Sequence, residues 1–258
     1  SAQALDDATL QVLGSRVDAL QPRMVEWRRD IHQNPELSGQ EVRTSALVAD
    51  PVDHSAALAA YRWLLGRADG AGLPLTDAGY LKPADVKALA EVLPTMRDYP
   101  FTISREVDVF PIVDFRDYLK AVGLLRKYKA SLRLTKTGRE ALADANTLWR
   151  HVAATVLFSG SDLDMDASVV VLVHMATTPT GIDGNEVAAT MSALGWSQYG
   201  GTPVRRDDIE PVWSELWTVL GNVGERASKK FGDGRLSDAA RIMIHDALFD
   251  EVSSEPIP

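Results

Sequence analysis

The pattern L-x-L-T-x-x-G occurs twice, as Leu73-Pro74-Leu75-Thr76-Asp77-Ala78-Gly79 and as Leu132-Arg133-Leu134-Thr135-Lys136-Thr137-Gly138. Both copies run on into an Ala-Asp pair, at Ala84-Asp85 and at Ala143-Asp144. Such a unit restricts the fold sharply. Apolar residues two apart bury one side of a short strand, and a threonine ahead of a helical stretch supplies the oxygen that caps free N–H groups. Each copy therefore predicts a strand leading into a helix capped by Thr76 or Thr135. A degenerate third copy is Arg235-Leu236-Ser237-Asp238-Ala239-Ala240, with Ser237 in the threonine position and Ala240 in the glycine position.

The surroundings of the second copy extend the reading. Phe115, Leu119 and Val122 fall on one face of a helix that Gly123 ends, and Leu124-Leu125 can pair with Leu132-Arg133-Leu134 across residues 127–131. Helix, hairpin, helix is winged-helix order. Apolar spacing predicts further helices over 56–65, with Ser55 as N-cap and Gly66 at the C-cap, and over 147–158, 167–176, 185–194, 209–220 and 238–249. Stretches rich in Gly, Ser, Asp and Pro at 159–164 and 199–203 separate some of them. The expected fold class is mainly α, a helical bundle with winged-helix-like repeats and short β-hairpins.

Ahead of this body, Leu10, Leu13, Val17, Leu20, Met24, Trp27 and Ile31 mark one face of a long helix, kinked at Pro22. Ser38-Gly39-Gln40-Glu41 has capping-box spacing for a second helix, which Asp50-Pro51 halts. With 258 residues there is chain enough for more than one compact unit. The expected organisation is a helical segment over 1–50, a winged-helix-like repeat domain over 51–158 and a helical domain over 159–258.

Composition narrows the function classes. A net charge of -9 opposes long-range attraction to nucleic acid or anionic membranes, so any such binding must be local. Without cysteine there is no disulfide framework, thiolate metal site or cysteine nucleophile. The longest apolar run, Val169 to Val173, is too short to span a bilayer, so no membrane partner is expected, and a cytoplasmic location is. Ala2-Gln3-Ala4 has the small-x-small form that ends a removed signal peptide, but no charged and apolar leader regions accompany it.

Arg28-Arg29-Asp30-Ile31-His32-Gln33-Asn34-Pro35-Glu36-Leu37, followed by Glu41, Arg43 and Thr44, resembles the opening of aminoacylase-type metal amidohydrolases. The likeness stops near residue 50, and the family's metal ligands would come later. A hydrolytic metal site needs imidazoles and carboxylates that fix the ion and leave one position for water. Yet the residues two beyond His32, His54, His151, His174 and His245 are Asn34, Ala56, Ala153, Ala176 and Ala247, and no Glu-Glu pair occurs. The resemblance thus implies scaffold, and no metal, cofactor or catalytic residue is expected. Residues 51–258 resemble uncharacterised helical proteins of actinobacterial type with winged-helix-like repeats, through Ala78-Gly79-Tyr80-Leu81-Lys82-Pro83 and the stretch from Leu124 to Ala143. The join near Asp50 leaves open an amidohydrolase remnant acting on N-acyl amino acids, or a chimera with no single evolved function.

The candidate binding residues are Arg126, Lys127, Lys129, Arg133, Lys136 and Arg139, with Tyr128 among them. From Pro111 to Arg150 there are nine Lys and Arg against four Asp and Glu, the reverse of the chain as a whole. A basic hairpin can contact phosphates or simply protect an edge strand. The preceding helix would read a groove, but it carries Asp114 and Asp117 beside Arg116 and Lys120. Asp162, Asp164 and Asp166 mimic the start of a calcium loop, but Ala167 and Val173 stand where glycine and glutamate are needed, so helix capping by Asp166 or Ser168 is expected instead. Trp213 and Trp217, four apart, are expected in the core. The function expected from sequence is a non-catalytic interaction module whose partner is nucleic acid or protein.

Overall fold

Asp53 accepts hydrogen bonds from the N–H groups of Ser55 and Ala56, which caps helix α1 (His54–Ala57). The computed structural model describes residues 52–157, 162–178, 181–198, 200–225 and 234–249. The two expected helices before Asp50, and the amidohydrolase-like stretch with them, lie outside these residues. Helix α2 (Ala59–Ala68) follows at once. The cap is thus Asp53 rather than Ser55, because the carboxylate reaches both free N–H groups. Gly66 lies inside α2 rather than ending it.

Strand β1 (Leu73–Pro74) leads into helix α3 (Pro83–Val92), with Pro83 preset for the first helical turn. Two 3₁₀ turns, Pro94–Met96 and Glu106–Asp108, then precede helix α4 (Phe110–Ala121). Strands β2 (Leu125–Tyr128) and β3 (Ser131–Leu134) form an antiparallel hairpin, and helices α5 (Lys136–Ala143) and α6 (Ala145–Val156) follow. The sheet order is β1-β3-β2, with Leu73 opposite Leu132 and Leu125 opposite Leu134. The two copies of the sequence pattern therefore pair with each other. Pro74 sits on an edge strand, where its missing N–H breaks no ladder bond.

The copies diverge after the shared strand. Thr135 caps α5, its hydroxyl accepting from the N–H of Gly138 at 2.9 Å and lying 2.6 Å from the carbonyl of Gly123. Ser237 does the same for the last described helix, accepting from the N–H of Ala240. Thr76 caps no helix. Its hydroxyl and backbone instead close a tight turn onto Tyr80, Gly79 takes a φ of 87°, and Leu75 bridges to Leu81. The segment turns back before Pro83 can start a helix.

The expected hairpin forms, but its strands run further than the expected loop over 127–131 allows: Lys127 pairs with Leu132 and Tyr128 with Ser131, leaving a two-residue turn in which Lys129 adopts a φ of 52°. Gly123 at φ 75° ends α4, and Leu124 N–H reaches back to the carbonyl of Leu119, closing a Schellman turn. Beyond α6 come α7 (Asp162–Thr177), α8 (Gly184–Ala193), α9 (Arg206–Leu220) and α10 (Asp238–Phe249). The described fold is mainly helical with one small antiparallel sheet. The acidic run from Asp162 lies within α7, so it does not cap that helix. Ser168 donates to the carbonyl of Asp164, and Asp166 accepts from the indole of Trp196.

One apolar cluster runs through the whole described body, from Leu58, Tyr61 and Leu64 through Phe115 and Leu119 to Val152, Leu172, Leu216 and Met243. Trp213 and Trp217 pack against it, half-buried. Helix α9 lies against α4, α7 and α8, and α10 against α6 and α7. Polar contacts span the same seam: Tyr61 donates to the carbonyl of Val219, Thr95 to Asn222, and the Trp149 indole to Asp246. None of the described helices is long and apolar enough to cross a membrane.

Candidate nucleic-acid interface

The hairpin sorts its side chains by the alternation of its strands. Leu125, Leu132 and Leu134 point into the core. On the other side Arg126 stands directly opposite Arg133, and Tyr128 opposite Ser131. The half-exposed Tyr128 ring has the Arg126 guanidinium at 5.3 Å, that of Arg133 at 5.2 Å and the Lys129 ammonium at 5.6 Å from its centre. Each contact is a cation on an aromatic face. Among the described residues, no carboxylate pairs with any of these cations.

Arg133 is held from below. Its stem crosses Gly72, where a Cβ would come within 2.7 Å of Cγ, and Gly72 also has a φ of 84°. The Nε of Arg133 is buried there without a hydrogen-bond partner. Lys127 faces the opposite way, its ammonium 2.7 Å from where a Cβ on Gly79 would stand. Gly79 thus serves both the Thr76 turn and the Lys127 stem.

The structure therefore brings together Arg126, Lys129 and Arg133 around Tyr128, with Lys127 on the reverse face. Lys136 and Arg139 belong to α5, beyond the base of the hairpin rather than at its tip. Lys136 is exposed and lies 3.9 Å from Glu140, one helical turn along. That spacing makes it part of a solvated helix face.

Helix α4 differs from a free basic helix. Arg116 turns inward, donating to buried Glu106 at 2.7 Å and to the carbonyl of Gly79 at 3.3 Å. Lys120 lies 3.1 Å from Asp117. Both cations of the helix are thus committed to carboxylates. Asp114 and Asp117 line a cleft of about 870 Å³ between α4, α6 and α9, with Tyr118, Leu216 and Glu215. Sequence gave no signal for Glu215, because only the packing of α9 on α4 brings it there.

Burial, and then the charge of Asp117, raise the pKa of Asp114; burial, Asp114 and Asp164 raise that of Glu215. A carboxyl whose folded value lies above its unfolded value disfavours the ionised fold, so stability rises as pH falls through the folded value. Asp114→Asn should consequently melt at a higher temperature than wild type at pH 7. The gain should shrink towards about pH 4, where Asp114 of the wild type also takes up a proton. Circular dichroism melts at the two pH values check this, and a gain independent of pH would exclude the charge as its cause.

Three of the described histidines serve structural contacts. His54 stacks on Trp149 with ring centres 4.2 Å apart and shares a hydrogen bond with Asn146. His151 bonds the carbonyl of Val122, and buried His174 accepts from the N–H of Asp183. Among the described residues, no group of three or more His, Asp or Glu side chains is placed to hold a metal ion.

No curated protein and no solved structure matches the chain. Residues 53–147 match the family model of the Y4jL N-terminal domain, a span that runs from the cap of α1 into α6 and so contains the sheet, α4 and the whole basic hairpin.

Proposed function

We propose that the chain is an interaction module whose hairpin engages the phosphate backbone of nucleic acid, and that the helix-strand-helix-helix-hairpin order of residues 59–134 is a winged-helix unit. The observation that carries the reading is the Arg126–Arg133 pair sharing Tyr128 without a carboxylate. Like charges directly opposite on a sheet are destabilising. Edge protection accounts for the cations Arg126 and Lys127 on β2, but β3 is the central strand and needs none. A phosphate between two guanidinium groups relieves that repulsion and receives their paired N–H donors. The matched family span supports treating the hairpin as part of one inherited unit, and carries no activity of its own.

The test is a fluorescence-anisotropy titration of labelled duplex DNA at low salt, with wild type and with Arg126→Glu/Lys129→Glu. Both substituted side chains are exposed, so the fold should tolerate them. The double variant should bind at least about tenfold more weakly, having lost two phosphate contacts and gained two repulsive charges. Equal binding by the two proteins, or none by wild type, removes the proposal.

A further inference from the structure

We infer that, among the described residues, the hairpin alone contacts nucleic acid and that recognition is independent of base sequence, because α4, the helix placed to enter a groove, presents carboxylates instead of free donors. This rests on the hairpin reading above and goes beyond it. Base readout requires side chains that reach base edges, most often from a helix lying in the major groove. On α4 the inner face is core, with Ile112, Phe115 and Leu119 fully buried. Arg116 is buried against Glu106, and Lys120 is drawn to Asp117. What remains towards α9 is Asp114 and Asp117, facing Glu215 across the cleft. A phosphate approaching that face meets like charge, and α9 already packs along it.

The Tyr128 face of the hairpin offers only Arg126, Lys129 and Arg133, since Lys127 lies on the reverse face. Contacts to phosphate position a protein on a duplex but carry no sequence information. Each neutralised phosphate adds about -0.9 to the slope of log affinity against log salt, so these three cations predict a slope of about -3. A helix bedded in a groove alongside the hairpin would steepen it.

The experiment measures full-length wild type against duplexes of equal length, AT-rich, GC-rich and mixed, across a salt series. Affinities within about threefold of one another and a slope of about -3 are expected. A second protein, Asp114→Asn/Asp117→Asn, should bind at least as tightly as wild type, because its α4 repels less and Lys120 is released. A preference above about tenfold for one duplex, a slope beyond about -6, or weaker binding by the Asp variant overturns the inference while leaving the hairpin reading standing. Absence of binding by wild type overturns both.

Discussion

Gly138→Ala should destabilise the fold by about 3 kcal/mol, read as a lower urea midpoint at unchanged slope. A Cβ at this position would stand 2.1 Å from the carbonyl oxygen of Leu124 and 3.0 Å from its carbon. Both are backbone atoms of the turn that joins α4 to β2, so no side chain can swing aside. The first turn of α5 would have to lift away, and Thr135 would lose its contact with Gly123. Gly66→Ala is the control. It lies exposed inside α2 with nothing within 4 Å of its would-be Cβ, and should gain about 0.5–1 kcal/mol. If both glycines respond alike, close approach is not what Gly138 provides.

Arg116→Ala should cost about 3–5 kcal/mol, since it leaves Glu106 as a buried charge without its cation. Glu106 is 1 % exposed; its Oε2 accepts from the N–H of Leu81 and from Arg116, while Oε1 has no partner. Burial raises the pKa of Glu106 even with Arg116 beside it. Removing the guanidinium raises it further. The folded value then lies well above the unfolded one, so the variant should regain stability as pH falls and Glu106 protonates. Urea unfolding at pH 7 and near pH 5 measures the difference. A deficit that persists unchanged at the lower pH would mean that lost packing, not the stranded charge, sets the cost.

These positions also show what a sequence displays and what it hides. The hairpin was legible because its determinants are local: alternating leucines, Gly123 to end α4, and a short polar turn. The cap at Thr135 was legible for the same reason. The identical residues at Thr76 misled, because Pro83 fixes where the next helix starts and the intervening segment folds back into a turn. The two pattern glycines likewise serve different ends. Gly79 supplies a left-handed backbone, whereas Gly138 supplies room against Leu124. Nothing in L-x-L-T-x-x-G separates a conformational need from a steric one.

The candidate site divides along the same line. Charge counting located the basic hairpin, but it could not show that Arg126 and Arg133 share one ring, which follows from register. It also left Arg116 as a cation on a recognition helix, although packing turns it onto Glu106. That pair lies ten residues apart across a 3₁₀ turn, outside any helical or strand spacing. Lys136 and Arg139 adjoin the hairpin in sequence but stand on α5.

Tyr61 sets a limit on modularity. Its ring is fully buried against Phe115, and its hydroxyl donates to the carbonyl of Val219 at 2.7 Å. Tyr61 and Phe115 lie inside the matched span 53–147, and Val219 lies far outside it. The matched span is therefore smaller than the body it packs into. A protein that joins this span to a different continuation must furnish another acceptor above that ring, or carry phenylalanine there.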